Sequence, residues 1–176
     1  MANLESLAAR DDEGAIRVVV ESPRGCGVKL KYDAKMGAFV YGRALPLGLT
    51  YPHDWGFVPG TKAEDGDPLD ALVISDAPVY PGVVIACRPL GVVLLDQKKE
   101  KGGRERNDRL VLVPGGAERH DELASPDSLS PRMREEIEQF FLSTTFFSQK
   151  DARVQGWKGP KRALQLVRRS EVKKRR

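Results

Sequence analysis

From Ala15 onward apolar and polar positions alternate. Ile16, Val18 and Val20 fall between Arg17, Val19 and Glu21, the period-two pattern of a strand. A turn over Pro23 to Gly27 leads to a second run, Val28 to Tyr32, with Lys29 and Lys31 on one face and Val28, Leu30 and Tyr32 on the other. Further strands are expected at Ala38 to Ala44, Leu69 to Ile74, Val83 to Cys87, Gly91 to Leu95 and Arg109 to Val113, separated by Gly, Pro and charged turns. Short strands punctuated in this way predict a closed or partly closed antiparallel barrel. The last third changes period. Ser130-Pro131 supplies a capping hydroxyl and a first-turn Pro, and Met133, Ile137, Phe140 and Phe141 recur at helical spacing. A second helix is expected from Gly159-Pro160 through Ala163, Leu164 and Val167. Residues 1–14 read as a loosely ordered leader, 15–170 as a single barrel domain and 171–176 as a basic tail; Gln97 to Arg106 reads as an exposed hairpin loop.

One acidic stretch interrupts this pattern: Glu64-Asp65-Gly66-Asp67-Pro68-Leu69-Asp70. Carboxylates this close repel one another, so gathering Asp65, Asp67 and Asp70 on one loop is favourable when a hard cation such as Mg²⁺ or Ca²⁺ sits between them. Gly66 permits the turn, and Pro68 stiffens it and pushes Asp67 toward an extended conformation. Asp70 would then stand at a strand's mouth, on the face of Leu72 and Ile74. The alternative is a solvated acidic turn. An EF-hand is disfavoured, because Asp76 stands where that loop requires Glu.

Composition narrows the class. With 176 residues, 40% apolar and 31% charged, the chain fits one globular domain. No apolar run approaches the ~20 residues of a membrane span, and the acidic N-terminus lacks a signal core, so a cytoplasmic protein with no membrane partner is expected. Cys26 and Cys87 lack metal-ligand spacing and are expected to be reduced. The net charge of +4 is concentrated at the end, where Lys161 to Arg176 carries eight Lys or Arg against a single Glu. No aromatic residues interleave with these charges, so nucleic acid is not an expected partner.

The ordered series of motifs resembles the soluble family I inorganic pyrophosphatases. The family's D-x-D-P-x-D signature is matched by Asp65, Asp67, Pro68 and Asp70. Glu21-Ser22-Pro23, Lys29 to Asp33, Arg43, Tyr51-Pro52 with Gly56-Phe57, Pro81-Gly82 and Cys87 to Val92 follow in the family's order. The resemblance implies a mainly β fold with α (α+β), a five-stranded OB-type barrel flanked by C-terminal helices. It also implies Mg²⁺-dependent hydrolysis of pyrophosphate, with Mn²⁺ as an alternative ion, in a homo-oligomer (hexamer or dimer).

Carried over position by position, Asp65 and Asp70 would be metal ligands, and Asp67 the general base as well as a ligand. Glu21 would hold metal-bound water. Lys29, Arg43 and Arg109 would bind phosphate, with Tyr51 hydrogen-bonding that end of the site. The chain also departs from the family. Lys31 stands where a Glu is frequent and would contact phosphate, and Trp55 stands where many members have a catalytic Tyr. Asn107 falls on a metal-binding Asp, so Asp108 or Asp96 would compensate, and Thr144-Thr145 replaces a Tyr-Lys pair that grips phosphate. The alternative function is a catalytically weakened phosphate- or polyanion-binding protein on the same barrel.

Overall fold

The computed structural model describes residues 3–172. Its elements are β1 (Ile16–Ser22), β2 (Val28–Asp33), β3 (Ala38–Ala44), β4 (Asp54–Val58), β5 (Leu69–Val73), β6 (Val84–Lys98), β7 (Arg104–Arg106), β8 (Arg109–Pro114), α1 (Pro131–Ser143), β9 (Arg153–Lys158) and α2 (Pro160–Ser170). Neighbouring strands run β1-β4-β5-β8-β6, and β6 pairs back onto β1, which closes a five-stranded ring. β7 and β9 extend the sheet from β6, and β2 and β3 form a separate hairpin.

Two expectations about the strands are corrected. The barrel is not wholly antiparallel, because β5 and β8 run parallel with Ala71 opposite Leu110. The strands expected at Val83 to Cys87 and Gly91 to Leu95 form one strand, β6, whose register shifts between Pro89 and Gly91. Pro89 lacks a ladder donor, and the irregularity absorbs it without breaking the strand.

Both faces of the central strands are buried, and residue parity decides the neighbours. Leu69, Ala71 and Val73 of β5 join Leu110 and Leu112 of β8 in a cluster that contains Ala163 and Val167 of α2. Leu72, Ile74, Val111 and Val113 join Ile137, Phe140 and Phe141 of α1. Each helix therefore covers one set of side chains. Ile137, Phe140 and Phe141 are at most 5% exposed, and burying each stabilises the fold by about 1.5–3 kcal/mol. α1 starts as its sequence predicts: the Ser130 hydroxyl accepts the Met133 N–H at 3.1 Å, with Pro131 in the first turn.

The leader, in its described part, is tied down. Arg17 N–H donates to Ala9 O at 2.8 Å, Gly60 N–H donates to Glu5 O at 2.9 Å, and Arg10 Nε pairs with Glu171 at 2.7 Å. The basic tail expected at 171–176 lies, beyond Val172, outside the described residues. Gln97 to Arg106 is a hairpin as expected, but β6 and β7 pair through it with Asp96 opposite Arg106. Among the described residues no helix is long and apolar enough to cross a membrane.

Candidate active site

β5 and β8 build the centre of the site. Their parallel register pairs Ala71 with Leu110, so Asp70 and Arg109 stand side by side on the α1 face, and their side chains form an ion pair. Arg109 lies over the Trp55 ring at 5.3 Å, a cation–π arrangement. Burial lowers the Arg109 pKa from 12.5 to about 10, against the raising influence of Asp65 and Tyr51. The guanidinium thus stays charged at neutral pH.

On one side of this pair lies a cavity of about 120 Å³ with a cationic wall of Lys29, Arg43, Arg109 and Lys150. Lys29 and Arg43 are cross-strand partners on β2 and β3, and like charges opposite one another are unfavourable unless an anion occupies the space between them. Burial, followed by the charges of Arg109, Lys31 and Lys150, lowers the Lys29 pKa to about 8; Glu21 opposes them. Arg43 Nη2 donates to Thr144 O at 2.6 Å, which ties the hairpin to the end of α1. Tyr51 and Trp55 form the floor, buried against Phe140 and Phe141. Burial pushes the Tyr51 hydroxyl up to about 12, so it stays protonated and available as a donor. The Trp55 indole N–H is buried without a protein acceptor.

On the other side Asp65, Asp70, Asn107 and Asp108 share a second cavity of about 370 Å³, which also carries Glu64, Arg106, Arg162 and Arg169. The acidic loop is tight, as expected. Gly66 adopts φ 92, Ala63 N–H donates to Asp67 O at 2.7 Å, and Asp67 N–H donates to Asp65 Oδ1 at 3.1 Å. Asp67 points outward and meets Lys31 Nζ at 3.8 Å. Glu21 is buried, its Oε1 accepts the Tyr32 N–H at 2.7 Å, and burial raises its pKa against that hydrogen bond and the charges of Lys29 and Lys31.

The third acidic segment divides. Asp108 faces the acidic cavity while its Oδ1 accepts from Leu95 N–H at 3.0 Å and Arg106 at 2.7 Å. Asp96 reaches neither cavity. Leu95 and Gln97, its neighbours on β6, line the cationic cavity, so strand alternation turns Asp96 away. It pairs instead with Arg104 Nε at 2.7 Å and Gln155 Nε2 at 3.1 Å. Thr144 and Thr145 line the cationic cavity, but their hydroxyls donate to Phe141 O and Leu142 O of their own helix at 2.9 and 3.1 Å.

Several lining residues were not anticipated from the sequence: Gln97, Arg106, Arg162 and Arg169. The last two lie seven residues apart on one face of α2, a spacing visible in the chain.

The donor chemistry suits a hard divalent ion. Among the described residues no three His, Cys, Asp or Glu side chains converge as a ready-made cage. Mg²⁺ does not require one, since it keeps several waters and binds through one or two carboxylates together with substrate phosphates. Asp65 and Asp70, beside a wall of phosphate-sized cations, match that demand.

A closed five-stranded barrel that sets an acidic cavity against a cationic one belongs to the class of metal-assisted phosphate-handling proteins. The sequence profile described as inorganic pyrophosphatase matches residues 18–174. An inorganic pyrophosphatase of Thermus thermophilus is 39% identical over 172 residues, 96% of this chain and 95% of that protein. One of Synechocystis is 36% identical over 94% of this chain and 95% of the relative. The crystal structure of inorganic pyrophosphatase from Thermus thermophilus superposes with a TM-score of 0.86 at 38% identity, covering 95% of each chain. The chain belongs to the inorganic pyrophosphatase family.

Proposed function

We propose that this protein hydrolyses inorganic pyrophosphate to two phosphates in the cytoplasm, with Mg²⁺ as its ion and Mn²⁺ as a substitute. One observation carries the reading: the acidic and cationic cavities share a wall, the Asp70–Arg109 ion pair. A multiply charged anion seated on Lys29, Arg43 and Arg109 therefore has its other end beside Asp65 and Asp70.

Asp65 and Asp70 would hold the ion, with Asp108 and Asn107 completing the shell and Glu21 retaining water at its edge. When bound, the ion supplies charge neutralisation and a water acidified toward neutral pH. Lys29, Arg43 and Arg109 hold phosphate oxygens through charge-assisted hydrogen bonds, Arg as a paired donor. Tyr51 donates its hydroxyl to the same end. Asp67 accepts the proton of the attacking water, and Lys31 beside it keeps the carboxylate ionised and meets phosphate. Trp55 packs beneath Arg109 and offers one buried N–H.

Phosphate release from pyrophosphate tests the reading. Release with Mg²⁺ should be fast, vanish with EDTA, and fall by about a hundredfold or more in Asp67→Asn. A folded wild-type protein that releases no phosphate across Mg²⁺ and Mn²⁺ concentrations would favour the binding-protein alternative. The same reading includes a homo-oligomer, for which Leu47, Phe146 and Phe147 leave apolar side chains exposed. Light scattering should then return two or six chain masses.

A further inference from the structure

We propose that Lys150 is a fourth phosphate-binding cation of this pocket, and that Arg104, on the β6–β7 hairpin, is the positioning residue that sets it there through Asp151. The identity of the anion rests on the functional reading above; the existence of an anion seat does not.

Three observations lead to it. First, the end of α1 offers phosphate no donor. The Thr144 and Thr145 hydroxyls are spent on Phe141 O and Leu142 O, and Thr144 O is occupied by Arg43. Lys150 lines the same cavity as Lys29, Arg43 and Arg109, and its charge is among those felt by Lys29.

Second, Lys150 is held from both sides. Lys98 N–H donates to Lys150 O at 2.6 Å. The next residue, Asp151, has φ 41, a conformation that asparagine and aspartate tolerate better than most residues. Its carboxylate receives Arg104 Nη1 at 3.0 Å, Arg153 Nη2 at 3.0 Å and Lys98 Nζ at 3.5 Å. Arg104 Nη2 also donates to Asp151 O at 2.7 Å, while Arg104 Nε holds Asp96 at 2.7 Å. The turn after α1 is thereby fastened to the edge of the barrel.

Third, this arrangement leaves the ammonium of Lys150 free. The carboxylate next to it in sequence is already surrounded by three cations, and among the described residues Lys150 has no ion-pair partner. A lysine held by its backbone, with an unpaired head at a pocket containing three other cations, costs repulsion unless an anion joins them. The hairpin thus reaches the pocket through a chain of contacts. Asp96, absent from both cavities, anchors Arg104, which anchors Asp151, which presents Lys150.

Inorganic phosphate titrated calorimetrically into the intact protein in EDTA reads this directly, without turnover. Lys150→Met should weaken phosphate binding about tenfold, and Lys150→Arg should restore most of it. Arg104→Met should give a smaller loss, and the double variant should be no weaker than Lys150→Met, because Arg104 acts through Lys150. In turnover, Lys150→Met should raise KM far more than it lowers kcat. Unchanged phosphate affinity in Lys150→Met, or losses that add in the double variant, would overturn the proposal. If the wild type fails to cleave pyrophosphate yet binds phosphate in a Lys150-dependent way, the functional reading falls and the Lys150 assignment stands.

Discussion

At Lys29, burial and three neighbouring cations act in one direction, bringing its pKa from 10.5 to about 8. The charged form holds the anion, so binding should be strongest below that pKa and weaken as pH rises through it, because the proton must be regained on binding. Phosphate affinity should fall about tenfold between pH 7 and pH 9. In Lys29→Arg, whose guanidinium keeps its proton throughout, the slope should disappear. Equal pH profiles for the two proteins would show that Lys29 is not the group that titrates. Asp65, Asp70, Lys29, Arg43 and Tyr51 were legible in the chain because each sits beside a turn or strand signal that fixes its direction. Asp96 was not. Its assignment depended on which face of β6 carries odd positions, and one residue of alternation sends it to Arg104. Lys150 was even less accessible, since contacts from three separate segments place it.

Strands with one polar face announced themselves; those buried on both faces did not. β4 reads Asp-Trp-Gly-Phe-Val and is buried throughout, so it shows no alternation, and only the family resemblance marked Gly56-Phe57. β9 pairs with β6 at its outer edge, where a mixed polar sequence resembles a loop. Gly56 explains why β4 tolerates no ordinary residue at that position. A Cβ there would lie 1.9 Å from Val19 O on β1, so the two strands pack closer than any side chain allows. Gly56→Ala should force them apart at a closure seam of the ring and destabilise the protein by about 3 kcal/mol or more. Urea unfolding measures it; a loss below about 0.5 kcal/mol would mean that the seam yields easily.

For the molecule as a whole, ring closure was the least legible feature, because the β1–β6 pairing joins segments whose sequences carry no mark of one another. What secures that closure on the side away from the site is a buried polar knot. Arg24 N–H donates to Asp54 Oδ1 at 2.9 Å and its guanidinium to Ser75 O at 2.8 Å, while Ser75 N–H donates to His53 Nδ1 at 3.4 Å. The sequence suggested His53 as a structural donor; here its Nδ1 is an acceptor. Burial, then the charge of Arg24, lowers its pKa from 6.5 to about 4, with Ser75 and Asp54 opposing and His120 adding to the fall. The folded chain thus keeps His53 neutral where the unfolded chain takes up a proton. Above pH 6.5 the residue makes stability no more pH-dependent, and as pH falls from 6.5 toward 4 it should withdraw on the order of 3 kcal/mol. Carboxylates titrate in the same window, so the informative quantity is the difference between wild type and His53→Gln, which keeps an acceptor but cannot be charged. Denaturant unfolding from pH 7 to pH 4 should show the wild type losing stability faster, and parallel curves would rule out His53 as the source of acid sensitivity in this barrel.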